Sequence, residues 1–215
     1  MPGPAGELHG RPWSEGPGRR IWLLEPAAPA LVLGSAQPDA AVDRAAAARA
    51  GVEVVRRRSG GAAVLLVPGQ VLWVDAVVRR DDELWRADVG AAFRWFGRAW
   101  AAALSEVGVA ATVHAGAMVR TRWSAAVCFA GLGPGEVTVA GAKLVGISQR
   151  RTRDAARFQA VVHHRWDPAP TLDLLALEPG ERATARAELR SAAVGVADLG
   201  LSLGDLRAAL LSHLP

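Results

Sequence analysis

The chain has 215 residues, of which 51% are hydrophobic and 21% charged, and its formal net charge is +4. These proportions are typical of a globular protein with a hydrophobic core, and they exclude disorder along the whole chain. The single cysteine, Cys128, excludes an internal disulfide and a multi-cysteine metal site. No apolar run approaches the ~20 residues of a membrane span, and the first residues do not resemble a signal peptide, so we expect a cytoplasmic protein with no membrane partner.

The first part of the chain predicts short strands separated by turns and one helix. Residues 1–20 are rich in proline and glycine and predict a mobile or surface-bound segment before the domain. An alanine-rich stretch predicts a helix over 38–50 that ends at Gly51. Short apolar runs bounded by proline and glycine predict strands at 20–25, 31–33, 52–55 and 71–78, with a further strand between the last two.

The second part predicts one long helix, then more strands, then helices. Leucine, valine and aromatic residues at helical spacing predict a helix over 82–107 whose aromatic side chains belong to the core. The predicted strands are 109–113, 136–139, 143–148 and 156–164. The predicted terminal helices are 171–177, 181–195 and 203–214, with Ser202 capping the last. The fold class that follows is α/β (α+β), with one mixed or antiparallel sheet packed with helices in a single domain over 21–215.

The arginines are spread along the chain in short groups and do not form one basic face. The groups are Arg19-Arg20, Arg56-Arg57-Arg58, Arg79-Arg80 and Arg150-Arg151-Arg153. A nucleic-acid partner is therefore not expected, because duplex or RNA binding usually requires a continuous basic surface. A small anionic ligand or an acidic protein partner fits separate local clusters better.

Lys143 is the only lysine of the chain, and the other 24 of its 25 basic residues are arginines. A lysine presents a compact charge on a flexible stem, whereas arginine presents a planar fork, so a retained lysine indicates a place where the fork does not fit. Gly141 and Gly146 flank it and permit close approach of a ligand, and Ser148 and Gln149 add neutral hydrogen-bonding groups. The alternative is a mutational bias against lysine, of which this residue is a chance survivor.

The turn from Arg56 to Gly61 is basic and rich in glycine. Backbone N–H groups in such a turn can converge on an anion, and the flanking arginines add charge. The spacing is not that of a P-loop, since the required glycine and lysine positions are absent. The alternative is an ordinary hairpin whose arginines are solvated.

Four blocks in order resemble the lipoate-protein ligase and octanoyltransferase family, over about residues 20–175. The blocks are 30–37 (ALVLGSAQ), 57–64 (RRSGGAAV), Cys128-Phe129 and 141–151 (GAKLVGISQRR). The resemblance implies the catalytic-domain fold shared with biotin-protein ligases. It also implies transfer of a lipoyl or octanoyl group to a lysine of a lipoyl acceptor domain or of the glycine-cleavage H protein.

As a ligase, the chain would use ATP and magnesium to form an acyl-adenylate, with Lys143 stabilising the charge that develops during transfer. No sequence motif supplies the metal ligands. The longer ligases carry an accessory C-terminal domain for which 215 residues leave no room, and the sequence leaves open whether a separate accessory subunit is required. The residues expected to bind the acid and adenylate are Arg57, Arg58, Ser59, Gly60, Gly61, Ala62, Gly141, Gly146, Ser148 and Gln149.

Two alternatives stay open at this level. Cysteine-dependent octanoyltransferases of the family place a Cys-Phe pair before their lysine motif, so Cys128 would take octanoyl from acyl carrier protein as a thioester, without ATP or another cofactor. Against this, free cysteines are often small buried hydrophobic residues, and some ligases of the family also carry this one. The second alternative is a catalytically degenerate protein that binds an acyl group or nucleotide, because Ala62 and Leu66 replace a glycine and a histidine of the family pattern.

Overall fold

The computed structural model describes residues 1–215 and contains ten strands and seven helices. The strands are β1 (Pro2–Gly3), β2 (Arg20–Pro26), β3 (Ala30–Leu33), β4 (Glu53–Arg56), β5 (Val64–Leu66), β6 (Val71–Arg79), β7 (Thr112–Val113), β8 (Val137–Val139), β9 (Ala142–Arg151) and β10 (Ala155–His163). The helices are α1 (Ala5–Gly10), α2 (Arg44–Arg49), α3 (Val89–Ala92), α4 (Arg94–Glu106), α5 (Ala169–Leu172), α6 (Pro179–Leu189) and α7 (Leu203–His213). No helix has both the length and the apolar character needed to cross a membrane.

Two sheets form the centre of the molecule. Seven strands make a large sheet in the order β1-β2-β6-β10-β9-β8-β7, in which β1 pairs with β2 in parallel and the other pairs are antiparallel. Three strands make a small sheet in the order β4-β3-β5, parallel on one side of β3 and antiparallel on the other. The prediction of a mixed α/β fold is therefore confirmed, although the strands divide into two sheets rather than one.

The sheets and helices stack in layers, and this explains why the central strands are buried on both faces. On one face of the large sheet, Phe96 and Trp100 of α4 and Leu206 of α7 pack on alternate residues of β6 such as Val74. On the other face, Trp73 of β6 packs against the small sheet. The far face of the small sheet is covered by α2, α5 and α6. Strands buried on both faces become almost continuously apolar, so the few polar residues within them are informative.

The first ten residues are part of the fold and reach its core, contrary to the prediction of a mobile or surface-bound segment over 1–20. β1 adds to the edge of β2, and α1 buries Ala5 and Leu8 in the core between the sheets. The guanidinium of Arg157 on β10 donates hydrogen bonds to the carbonyl oxygens of Leu8 and His9. Arg157 lies 148 residues from His9 in the sequence, so no local sequence signal could predict this contact.

The predicted helix over 82–107 is also wrong in its first turns. The carboxylate of Asp82 accepts a hydrogen bond from the backbone N–H of Leu84 and pairs with Arg19, which bends the chain away from a helical path. Helix α3 begins only at Val89, where Asp88 caps it by accepting from the N–H of Ala91.

The other predicted elements differ mainly in length. The predicted helix over 38–50 is shortened to α2, which Asp43 caps, and the strand over 109–113 to β7. The helices predicted over 171–177 and 181–195 end earlier, at Leu172 and Leu189. The final helix and its Ser202 cap are confirmed.

Candidate functional site

A cavity of about 550 Å³ lies between the small sheet and β9, and its volume is in the range of small-molecule sites. One wall is the end of the glycine-rich turn after β4, another is β9, and a loop over 118–136 closes the third side. The cavity brings together residues from all four sequence blocks that carried the resemblance, including Ala36 and Gln37 of the first. The predicted site residues that line it are Gly60, Gly61, Ala62, Cys128, Lys143, Ser148 and Gln149.

Lys143 is placed in this wall by a tight turn between β8 and β9. Ala140 and Gly141 both have positive φ, and Gly141 adopts φ 84° in open space, a conformation that a side chain would disfavour. The backbone of Lys143 pairs with Thr138 on one side and exchanges hydrogen bonds with Ala192 and Val194 on the other. The lysine therefore projects from a rigid point of the large sheet.

The ammonium of Lys143 is buried and fully hydrogen-bonded. It donates to the carbonyl oxygens of Cys128 (2.9 Å) and Gly131 (3.0 Å), and it lies 2.7 Å from a carboxylate oxygen of Glu136. The side chains of the lysine and the glutamate are only 4% and 5% exposed. Phe129 lies beneath, with its ring centroid 5.0 Å from the ammonium. A buried charge held in this way keeps a fixed position on the cavity wall.

Sequence reasoning missed Glu136 as a functional residue. Its carboxylate also accepts hydrogen bonds from the backbone N–H groups of Gly133 and Ile147, so it ties the 131–135 turn to β9 as well as pairing with the lysine. The signal that could have found it is the Gly-Pro-Gly-Glu sequence, which ends a turn at the beginning of the strand beside Lys143. Glutamate in a buried strand usually has a charged partner.

Arg57 stabilises the glycine-rich turn from inside. Its buried guanidinium donates to the carbonyl oxygens of Gly60 and Ala62, and one of its nitrogens lies 3.7 Å from the sulfur of Cys128. Gly61 has φ +102°, and a Cβ placed on Gly34 of the preceding β3 end would lie 1.7 Å from the carbonyl oxygen of Gly61. The turn therefore depends on glycine both for its backbone conformation and for its contact with Gly34.

The remaining predicted binding residues divide between the cavity and other places. Ser59 is buried, and its hydroxyl lies 3.0 Å from the hydroxyl of Ser148, which joins the turn to β9. Arg58 is exposed beside an open, basic hollow of about 370 Å³ that it shares with Arg56 and Arg150 and that shares no lining residue with the main cavity. Gly141 forms the turn before Lys143 and does not line the cavity, whereas Gly146 lines a smaller inner cavity next to it.

The inner cavity is small, about 30 Å³, and adjoins the main one at Cys128, Ile147 and Ser148, which line both. Its walls are mostly apolar, with Trp73 and Phe129 as the largest side chains. His9 of α1 reaches it as well, a contact that sequence reasoning did not predict and for which no local signal exists.

The residues offer little for a resident metal ion. No group of three or more histidine, cysteine, aspartate or glutamate side chains is arranged to hold one. Glu136 is the one acidic residue that lines the main cavity, and both of its oxygens are already hydrogen-bonded. A magnesium ion here would therefore be held by the phosphates of a nucleotide and by water, as Mg²⁺ commonly is.

The sequence as a whole identifies the family. Residues 13–214 match the lipoyl protein ligase A/B catalytic domain. The chain belongs to this family. No curated protein matches it significantly. The resemblance found in four short blocks thus extends over nearly all of the chain.

Solved structures of similar fold agree with this assignment. A bi-partite lipoate protein ligase from Thermoplasma acidophilum, described together with its E2 lipoyl domain, is 18% identical with a TM-score of 0.78 over 99% of this chain and 79% of its own. A lipoate-protein ligase A bound with ATP is 19% identical, with a TM-score of 0.69 over 92% of this chain and 72% of that one. A T. acidophilum protein with bound lipoic acid has a TM-score of 0.74 at 18% identity, over 99% and 81% of the two chains.

Proposed function

We propose that this protein uses ATP to activate lipoate or a related aliphatic acid as an acyl-adenylate and then transfers the acyl group to a lysine of an acceptor domain. The observation that carries the proposal is the position of Lys143, whose ammonium lies in the wall of a ligand-sized cavity opposite the glycine-rich turn. The ATP and lipoic acid bound to proteins of the same fold support this choice of substrates.

The geometry suggests how the residues would share the work. An acyl-adenylate carries a phosphate anion beside an electrophilic carbonyl. Lys143 would give up one of its backbone acceptors, the carbonyl oxygens of Cys128 or Gly131, to hold a ligand oxygen, while Glu136 keeps the ammonium in place. As the acceptor amine attacks the acyl carbonyl, negative charge grows on the oxygen of that acyl group. A fixed cation beside this oxygen lowers the barrier.

The acceptor would be a lipoyl domain or the glycine-cleavage H protein, with an accessory subunit completing the enzyme. The T. acidophilum ligase of the same fold is bi-partite and is described with its E2 lipoyl domain, which supports both parts of the proposal. The basic hollow at Arg56, Arg58 and Arg150 offers charge to an acidic partner.

Mass spectrometry tests the proposal directly. The protein is incubated with ATP, Mg²⁺ and one acid at a time from acetate, butanoate, hexanoate, octanoate and lipoate, with and without an acceptor domain. We expect an acyl-adenylate without the acceptor and an acylated acceptor lysine with it. Lys143→Met should lower the rate by about 10²–10³-fold, the usual cost of losing one charge-stabilising donor. If none of the acids is converted to an adenylate, the ligase proposal is refuted.

A second candidate is a thioester mechanism at Cys128, which one observation favours. The sulfur lies where the two cavities meet, and a guanidinium nitrogen of Arg57 is 3.7 Å away, so a thiolate there would have a cation beside it. The ammonium of Lys143 contacts the backbone carbonyl oxygen of Cys128 and not its sulfur. Transfer of octanoyl from acyl carrier protein without ATP, with a trapped acyl-Cys128 adduct, would establish this mechanism in place of the first.

A further inference from the structure

Gln149 of β9 lines the main cavity with a side-chain amide that makes no hydrogen bond. Both the oxygen and the nitrogen of this amide are buried. The other two glutamines at the cavities, Gln37 and Gln159, use both atoms of their amides in hydrogen bonds to other residues. Buried polar groups without partners cost free energy and are rare in folded proteins. A ligand that brings one donor and one acceptor to Gln149 would remove that cost.

Gln149 lies on a free stretch of strand edge, a short distance from the ammonium of Lys143. Strand β8 pairs with β9 only as far as Val145, so the rest of this edge has no strand beside it and borders the main cavity. One carboxylate oxygen of Glu136 accepts from the N–H of Ile147 at 3.0 Å, and the other lies 2.7 Å from the ammonium. The ammonium is therefore beside Ile147, two residues before Gln149, which is about 7 Å along the strand. A ribose between a phosphate and a base can bridge such an interval.

Apolar side chains border the cavity at the same end as the amide. Those that line it are Val89, Phe93, Pro134 and Ile147. The ring of Phe93 packs edge-on against Phe158, with 5.8 Å between the centroids, and Phe158 is the cross-strand partner of Gln149. Phe93 and Gln149 are thus neighbours of the same residue. An apolar or aromatic surface beside a hydrogen-bonding amide suits a flat heterocyclic base, which stacks by its face and bonds by its edge.

Arg151 holds the two sides of this end of the cavity together. Its guanidinium donates to the carbonyl oxygens of Arg86 and Ala87, just before helix α3, and lies over the ring of Trp85. The last residues of β9 are therefore tied to the segment that leads to Val89 and Phe93. The amide and the apolar surface consequently keep their relative positions before a ligand arrives, which lowers the cost of binding.

We infer that Gln149 binds the base of ATP, accepting a hydrogen bond from the amino group of adenine and donating one to the neighbouring ring nitrogen. Adenine presents a donor beside an acceptor, and a glutamine amide matches that pair with two parallel hydrogen bonds. The inference rests on the proposed function, since it takes the nucleotide phosphate to lie at Lys143. It assigns recognition of the base to one residue, which the family assignment does not do.

Calorimetric binding of two analogues tests the inference on the full chain without requiring turnover. The first is octanoyl-sulfamoyl adenosine, and the second is the same compound with unsubstituted purine, which lacks the amino group, in place of adenine. The variant is Gln149→Leu, which keeps the approximate size of the side chain and removes both polar atoms. Gln70→Leu is the matched control, because Gln70 is exposed in the turn before β6. The KM for ATP in adenylate formation is a second readout.

We expect the wild type to bind the adenine analogue at least about tenfold more tightly than the purine analogue, within the range of one bidentate contact between an amide and a base. Gln149→Leu should bind both analogues equally and weakly, with a KM for ATP raised by a similar factor, while Gln70→Leu behaves as the wild type. Thermal unfolding without ligand should show Gln149→Leu to be at least as stable as the wild type, because the substitution removes a polar group that has no partner.

Three results would each overturn the inference: equal binding of the two analogues by the wild type, equal binding of the adenine analogue by the wild type and Gln149→Leu, or an unchanged KM for ATP in that variant. The ligase proposal stands in all three cases if adenylates form. If the analogues bind in the expected pattern and no acid is activated, the ligase chemistry fails and the assignment of Gln149 stands. If neither analogue binds to any of the proteins, the inference fails, and adenylate formation decides the ligase proposal separately.

Discussion

The buried pair of Lys143 and Glu136 allows the stabilising role of the lysine to be separated from its proposed catalytic role. Lys143→Met keeps much of the side-chain length and leaves the carboxylate of Glu136 buried without its cation. Losing one member of a buried ion pair typically costs about 3–5 kcal/mol. Glu136 retains its hydrogen bonds from the N–H groups of Gly133 and Ile147, which offset part of the loss. We therefore expect a loss of about 3 kcal/mol, the lower end of that range.

The matched variant is the double substitution Lys143→Met with Glu136→Gln. The neutral amide removes the unpaired charge, and its oxygen can still accept from one of the two backbone N–H groups. Most of the lost stability should return, so that the double variant lies within about 1 kcal/mol of the wild type, which corresponds to replacement of an ion pair by neutral groups. Activity should not return, because the cation that stabilises the developing charge is absent from both variants.

Thermal unfolding and acyl transfer from the adenylate to the acceptor domain, measured on the same preparations, give the two answers. For a domain of this size a loss of 3 kcal/mol lowers Tm by roughly 6–12 °C. Two results would contradict the reasoning. A double variant as unstable as Lys143→Met would mean that the unpaired carboxylate is not the source of the loss. Transfer of the acyl group to the acceptor lysine at the wild-type rate in either variant would mean that Lys143 does not act in the chemistry.

Three further predictions concern stability and the alternative mechanism. Burial, with a contribution from the charge of Lys143, lowers the pKa of His163 to about 4. The unfolded chain therefore binds a proton that the folded chain does not, and the free energy of unfolding should fall by up to about 3 kcal/mol as the pH drops from 6.5 toward 4. Denaturant titrations at several pH values should find this dependence reduced in His163→Phe. Gly34→Ala should cost about 1–3 kcal/mol in thermal unfolding, because its Cβ would lie 1.7 Å from the carbonyl oxygen of Gly61, whereas Gly180→Ala, with open space around it, should not. Cys128→Ser should keep most of its adenylate formation if the protein is a ligase, and loss of transfer together with an acyl-thioester on the wild type would instead favour the transferase.

Elements defined by local pattern were predictable, and so was the neighbourhood of Lys143. A tight turn with glycine at positive φ, followed by a strand, is determined by residues adjacent in the sequence, and the structure has Gly141 and β9 at these positions. The basic glycine-rich turn after β4 was predictable for the same reason. The β9 strand with Lys143 and the glycine-rich turn lie on the same cavity because they face one another across the sheets. The spacing of the residues could not predict that they meet, but the family resemblance implied it.

What the sequence could not reveal depends on partners far apart in the chain. The predicted helix does not start at Asp82 because that residue pairs with Arg19, which lies 63 residues away. Helix α1 is ordered because Arg157 reaches its backbone. Arg157 itself looked like one of many spread arginines, yet it is buried with Asp75 in the centre of the large sheet. Propensity and periodicity describe neighbours in sequence, so an element decided by a single long-range ion pair escapes them.

Lys143 in the wall of the main cavity and Arg57 in the wall of the inner one share a feature that bears on how the site would choose among its ligands. Lys143 donates to the carbonyl oxygens of Cys128 and Gly131, and Arg57 donates to those of Gly60 and Ala62, so backbone oxygens occupy the places that ligand oxygens would take. A charged phosphate accepts a hydrogen bond more strongly than a neutral carbonyl does, and only such an acceptor can displace these oxygens with a gain in free energy. A site arranged in this way favours the adenylate over the neutral parts of its substrates, and a preference for the species closest to the transition state is what raises the rate of the chemical step.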